Sequence, residues 1–153
     1  ALLNDGKRLC AFKFKGYWKD VGTIDSLWEA NMDLLNKNNE LDLNDSSWKI
    51  YTEDVTTLPH YIGENADIKN AFITQGCVIN GEVKNSVLFT SVKVAEGAKI
   101  IDSVLMPGAE VEEGAVVTRA LVANDVKIGK NAVVGSAGSE HIELVAKRVK
   151  GDE

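Results

Sequence analysis

The 153-residue chain carries 23 acidic and 17 basic side chains, a formal net charge of −6, and is 44% apolar. That length and apolar share suit one domain with a small appendage and an ordinary core, and the acidic balance argues against a nucleic acid or an anionic membrane as partner. No apolar run approaches the roughly 18 residues of a membrane span and the N-terminus lacks a signal-peptide layout, so no membrane is expected and a cytoplasmic location is. Cys10 and Cys77 lie far apart with no Cys/His cluster nearby, which reads as two reduced thiols.

Leu9-Cys10-Ala11-Phe12-Lys13-Phe14 mixes apolar and β-favouring residues and predicts a strand. Gly16 and Gly22 bracket a short loop, and Thr23 follows at a plausible helix N-cap with Asp25 in the first turn. Ile24, Leu27, Trp28, Met32 and Leu35 form one stripe of an amphipathic helix that should fray at residues 36–39. Residues 37–57 are polar and aperiodic, a connector with one short strand candidate at 48–51. The expected organisation is therefore a strand–loop–helix unit over residues 1–36, the connector, and a repeat domain over 58–153.

The repeat begins after Pro59. Hexads starting at Ile62, Ile79, Val94, Val111, Ile128 and Val145 step by 17, 15, 17, 17 and 17, with Ala or Val in the fifth position. A second series, Val83, Ile100, Val117 and Val134, keeps the 17-residue step. A period near 17 is too short for helical hairpins and fits one coil of about three hexapeptides. Branched aliphatics stack inward, small residues fill corners, and Gly or Asn supply the corner backbone angles. The prediction is mainly β: a parallel β-helix of about five coils. Cys77 falls in a core column with Val92, Ala109 and Val126; Met106-Pro107-Gly108 is a corner; Glu112-Glu113 and Lys147-Arg148 are solvated faces.

Chemistry concentrates in Gly16-Tyr17-Trp18-Lys19-Asp20-Val21-Gly22-Thr23-Ile24-Asp25-Ser26-Leu27-Trp28-Glu29-Ala30-Asn31-Met32. This run resembles the segment that ends the catalytic domain of the glucose-1-phosphate adenylyltransferase (ADP-glucose pyrophosphorylase) family. The resemblance continues through Ile50-Tyr51-Thr52, Gly76-Cys77-Val78-Ile79 and Glu82-Val83-Lys84-Asn85-Ser86-Val87-Leu88-Phe89. It implies a left-handed coil, an α/β nucleotidyltransferase domain of which residues 1–36 are the end, and a cytoplasmic enzyme of glycogen synthesis. The implied reaction is attack of glucose 1-phosphate on the α-phosphate of ATP, giving ADP-glucose and pyrophosphate. Mg²⁺ is the implied cofactor, with Asp20 as its carboxylate ligand and catalytic residue. Trp18, Lys19, Gly22 and Thr23 map to the sugar-phosphate side, with Tyr17 as a further wall; Thr23 either caps the helix or touches substrate. The family's β-helix serves as an oligomerisation and regulatory scaffold, implying a tetramer, and Arg119, Lys147 and Arg148 are candidates for an anionic effector by charge.

The family's glycine-rich phosphate loop, second metal carboxylate and substrate Lys have no counterpart here; Gly135-Ser136-Ala137-Gly138-Ser139 has no Lys and follows no strand–loop–helix pattern. The expectation is a C-terminal fragment, inactive alone, in which the β-helix dominates. Alternatives stay open. Hexapeptide acyltransferases use the same prism but need a coil His as general base, and the only histidines are His60 and His141. A nucleotidyltransferase for another base or sugar, or a catalytically weak companion subunit, also fits parts of the pattern.

Overall fold

A computed structural model describes residues 4–43, 45–52 and 56–151. From residue 61 onward the chain winds into a parallel β-helix of about 4 turns with three faces. Face one stacks Tyr61–Ile62, Val78–Ile79, Lys93–Val94, Glu110–Val111 and Lys127–Ile128, all parallel. The long strands Asp67–Ile73 and Glu82–Leu88 each bend across faces two and three. Lys99–Ile101, Val116–Thr118 and Val133–Val134 continue face two, and Val104–Leu105, Ala120–Val122 and Glu143–Val145 continue face three.

Strand side chains alternate between inside and outside, and strict parallel register places like residues on top of one another. The inward columns are Ile79, Val94, Val111 and Ile128; Val83, Ile100 and Val117; and Leu88, Leu105 and Val122, all at most 2% exposed. Each such side chain contributes roughly 1.5–3 kcal/mol by leaving water. Ala98, Ala115 and Ala132, fifth in their hexads, are buried at the corners. Cys77 lies in the core with Val92, Ala109 and Val126, as its register implied.

The corner between faces two and three uses Asn70, Asn85, Asp102 and Arg119, with φ of 50°, 45°, 47° and 47°. Short amide and acid side chains tolerate this left-handed backbone. They also pair along the column: Asn70 Nδ2 donates to Asn85 Oδ1 at 2.9 Å, and Asn85 Nδ2 to Asp102 Oδ1 at 2.6 Å. The one 15-residue step has a local cause. Asn80-Gly81 turns the corner two residues short, and a Cβ on Gly81 would lie 2.5 Å from the Ala98 carbonyl oxygen.

Three sequence expectations are corrected. Val145 does not extend the face-one column: it pairs with Val122 on face three, and Val149 bridges to Ile128. Six extra residues between Val134 and Val145 delay the chain by one whole face. Residues 9–14 form no strand, and Leu9, Phe12 and Phe14 are exposed. Residues 48–51 likewise stay irregular, with Trp48, Ile50 and Tyr51 exposed. Strand propensity produces a strand only where another edge is present to pair with.

Helix α1 (Ile24–Met32) runs into a 3₁₀ turn, Asp33–Leu35. Its stripe, Ile24, Leu27, Trp28, Met32 and Leu35, packs on the outward residues Val87, Val104, Leu121 and Ile142 of face three. The helix N-terminus meets the last coil, through Ile142, and its end at Leu35 lies against the two long first strands. It therefore runs along the prism, antiparallel to the progress of the coils. Trp28 Nε1 donates to the Asp102 carbonyl oxygen at 2.9 Å.

Candidate functional site

The loop before α1 is fastened by its own side chains. Tyr17 Oη and Lys19 Nζ each donate to Asp33 Oδ2 at 3.0 Å, and Lys19 also pairs with Glu29 Oε2 at 3.2 Å. Burial and the Asp33 carboxylate raise the Tyr17 phenol above its ordinary value. Burial pulls the Lys19 ammonium down, but its hydrogen bonds to Asp33 and Glu29 outweigh that and leave it raised. Lys19 thus stays charged at neutral pH and serves as a tether to the helix.

Thr23 has β backbone at the N-cap. Its hydroxyl accepts the Ser26 N–H at 3.2 Å, and Ser26 Oγ accepts the Thr23 N–H at 3.0 Å, a reciprocal capping box. The capping alternative holds for Thr23. Between these anchors, Asp20 is exposed, and its Oδ1 accepts the Gly22 N–H at 3.0 Å. A Cβ on Gly22 would lie 3.3 Å from that oxygen, so glycine leaves the carboxylate room to fold back. Asp20 Oδ2 has no partner among the described residues. Trp18 stands beside it, 76% exposed.

Among the described residues no three His, Cys, Asp or Glu side chains gather in a metal-binding group. One carboxylate with a free oxygen is a hard donor that fits a divalent cation as a single ligand; the remaining ligands would have to come from elsewhere.

The effector candidates do not converge. Arg119 sits at the corner between faces two and three, its guanidinium 5.3 Å from the Trp28 ring centroid. Its Nε is buried with no hydrogen-bond partner among the described residues. Lys147 and Arg148 are exposed on the loop after Glu143–Val145, at a different corner. His60 is exposed ahead of the first coil, and His141 lies in the loop that lengthens the last one, so neither occupies a regular coil.

One contact escaped the sequence reading. Asp25 Oδ1 accepts the Ile142 N–H at 2.8 Å, and Asp25 Oδ2 lies 3.3 Å from His141 Nδ1. The Ile142 hydrogen bond is the main cause of a lowered Asp25 carboxyl, with His141 adding to it. Little in the sequence signals it, since the step from Ile128 to Val145 is again 17, and nothing there says which residue the longer loop meets.

Comparison with known families matches residues 57–147 to the GlmU-like, C-terminal hexapeptide family. The chain belongs to that family. The hexapeptide assignment agrees with a left-handed sense for the coil. Residues 1–37, ahead of the hexapeptide region, match the nucleotidyl transferase family, whose members generally use a divalent metal. A glucose-1-phosphate adenylyltransferase of Clostridium beijerinckii is 51% identical over 102 residues, 67% of this chain and 26% of that protein. Those of Bacillus mycoides and Bacillus anthracis are each 54% identical over 101 residues, 66% of this chain and 27% of theirs. The chain therefore spans about a quarter of the length of these relatives and matches their C-terminal part. No helix among the described residues is long and apolar enough to cross a membrane.

Proposed function

We propose that this chain is the C-terminal part of a glucose-1-phosphate adenylyltransferase: the end of the catalytic domain, residues 1–36, a connector, and the β-helix domain from residue 58. In the whole enzyme, an oxygen of glucose 1-phosphate bonds to the α-phosphorus of ATP as the bond to pyrophosphate breaks, giving ADP-glucose.

The observation that carries this reading is the division of labour in the loop. Tyr17, Lys19, Gly22 and Thr23 are all engaged in holding it, while Asp20 keeps one carboxylate oxygen free of any partner among the described residues. Asp20 would hold Mg²⁺, which when bound offsets the negative charge on the phosphoryl oxygens. Trp18 offers a flat apolar wall for the sugar. Gly22 keeps the backbone open to the sugar phosphate, and Lys19 fixes the loop against α1. The β-helix acts as scaffold for an oligomer, a tetramer in this reading, working in the cytoplasm. Arg119, or Lys147 with Arg148, would supply positive charge to an anionic effector.

Asp20→Asn in the full-length enzyme should lower turnover by about 100-fold or more while leaving circular dichroism unchanged. Residues 1–153 alone should show no micromolar binding of ATP with Mg²⁺ by calorimetry. Near-normal turnover of the Asn variant would remove Asp20 from the metal site.

A further inference from the structure

The apolar surface beneath α1 is nearly periodic. Val87, Val104, Leu121 and Leu144 stand in register, one per coil, and α1 rests on the first three together with Ile142, so a helix held by apolar contact alone meets a similar seat one coil up or down, about 4.8 Å away. Hydrophobic contact is non-directional and does not choose between such seats. Hydrogen bonds do. They join α1 to the β-helix at two places among the described residues: Trp28 to the Asp102 carbonyl, and Asp25 to the Ile142 N–H and His141 Nδ1.

The second exists only because the last coil is longer than the others. Its loop turns back on itself, with Ser139 Oγ donating to the His141 carbonyl at 2.6 Å, and presents His141 and the Ile142 N–H to Asp25. Asp25 follows Thr23, the cap of α1, by two residues and Asp20 by five. The loop over residues 16–22 that carries Asp20 is tied to α1 and the turn after it by Lys19, through Glu29 and Asp33.

We propose that the enlarged last coil is a positioning device: His141 and the Ile142 N–H grip Asp25, set the register of α1 on the prism, and thereby place the Asp20 carboxylate. Asp25, His141 and Ile142 are positioning residues. Their effect on turnover rests on the adenylyltransferase reading; the grip itself does not.

The test uses the full-length enzyme with Asp25→Ala, Asp25→Asn and His141→Ala. It reads kcat, KM for ATP, the Mg²⁺ concentration for half-maximal rate, and amide hydrogen exchange over residues 18–27. Asp25→Ala should lower kcat about 10-fold and raise the half-maximal Mg²⁺ severalfold, with KM for ATP within about twofold, as expected for a misplaced ligand. Asp25→Asn keeps an acceptor for the Ile142 N–H and should fall between Ala and the parent. The exposed His141→Ala, which leaves the fold intact, should show the same pattern more weakly. Exchange should quicken at residues 18–27 in all three, and this readout stands even if the parent enzyme makes no ADP-glucose. Unchanged exchange, or an Asn variant no better than Ala, would overturn the proposal.

Discussion

Thr23 shows how much one side chain can organise. Its hydroxyl satisfies an otherwise unpaired amide of the first helical turn, and Ser26 returns the favour to the Thr23 N–H. Thr23→Ala removes one half of that box and should cost about 1 kcal/mol of local helix stability, measured as faster hydrogen exchange of the first α1 amides. The cap was legible because Thr before an apolar 3.6-residue period is a local signal. The partner of Asp25 was not, since Ile142 is 117 positions away and contributes only its backbone. Lys19 is placed on the sugar-phosphate side by the family resemblance alone; the fold adds Glu29 and Asp33 as its partners.

Among the elements, the corner between faces two and three carries a chain of hydroxyls. Ser86 Oγ accepts the Ser103 N–H at 3.1 Å, and Ser103 Oγ accepts the Ala120 N–H at 3.1 Å while donating to the Ile101 carbonyl at 2.7 Å. Both serines are fully buried. Ser103→Ala strands a buried amide and should lower stability by about 1–3 kcal/mol, read as a shift of the urea midpoint. The coils themselves were written plainly in the sequence, because each column repeats its residue type every 17 positions apart from one 15-residue step. Val145 misled for a specific reason. An insertion of six residues equals one face of the prism, so the aliphatic pattern survives while its assignment to a face moves. Residues 9–14 misled because their strand character needs a neighbour that the described residues do not supply.

The whole molecule is laced by surface ion pairs between coils. Glu110 bonds Lys93 at 2.7 Å and Glu112 bonds Lys127 at 2.7 Å. The hydrogen bond from Lys93 is the main cause that lowers Glu110, and that from Lys127 lowers Glu112. Carboxyls held below their ordinary value stabilise the fold above it and lose that contribution as pH falls through the lowered value. Lys84, raised by Glu82 and Asp67, and Lys130, raised by Glu113, contribute fully below the ordinary lysine range and lose it as pH climbs through their raised values. The thermal midpoint should therefore be flat near neutrality and fall below about pH 4. Because these groups face solvent, 1 M salt should flatten that acid decline in calorimetric scans. The docking of α1 along the prism has one more result. An α-helical turn rises about 5.4 Å and a coil about 4.8 Å, so the two scales drift apart by about 0.6 Å per turn, like a vernier. Over the nine residues of α1 the graduations still nearly coincide. A much longer straight helix would fall between marks; α1 ends after nine residues, where a 3₁₀ turn begins at Asp33.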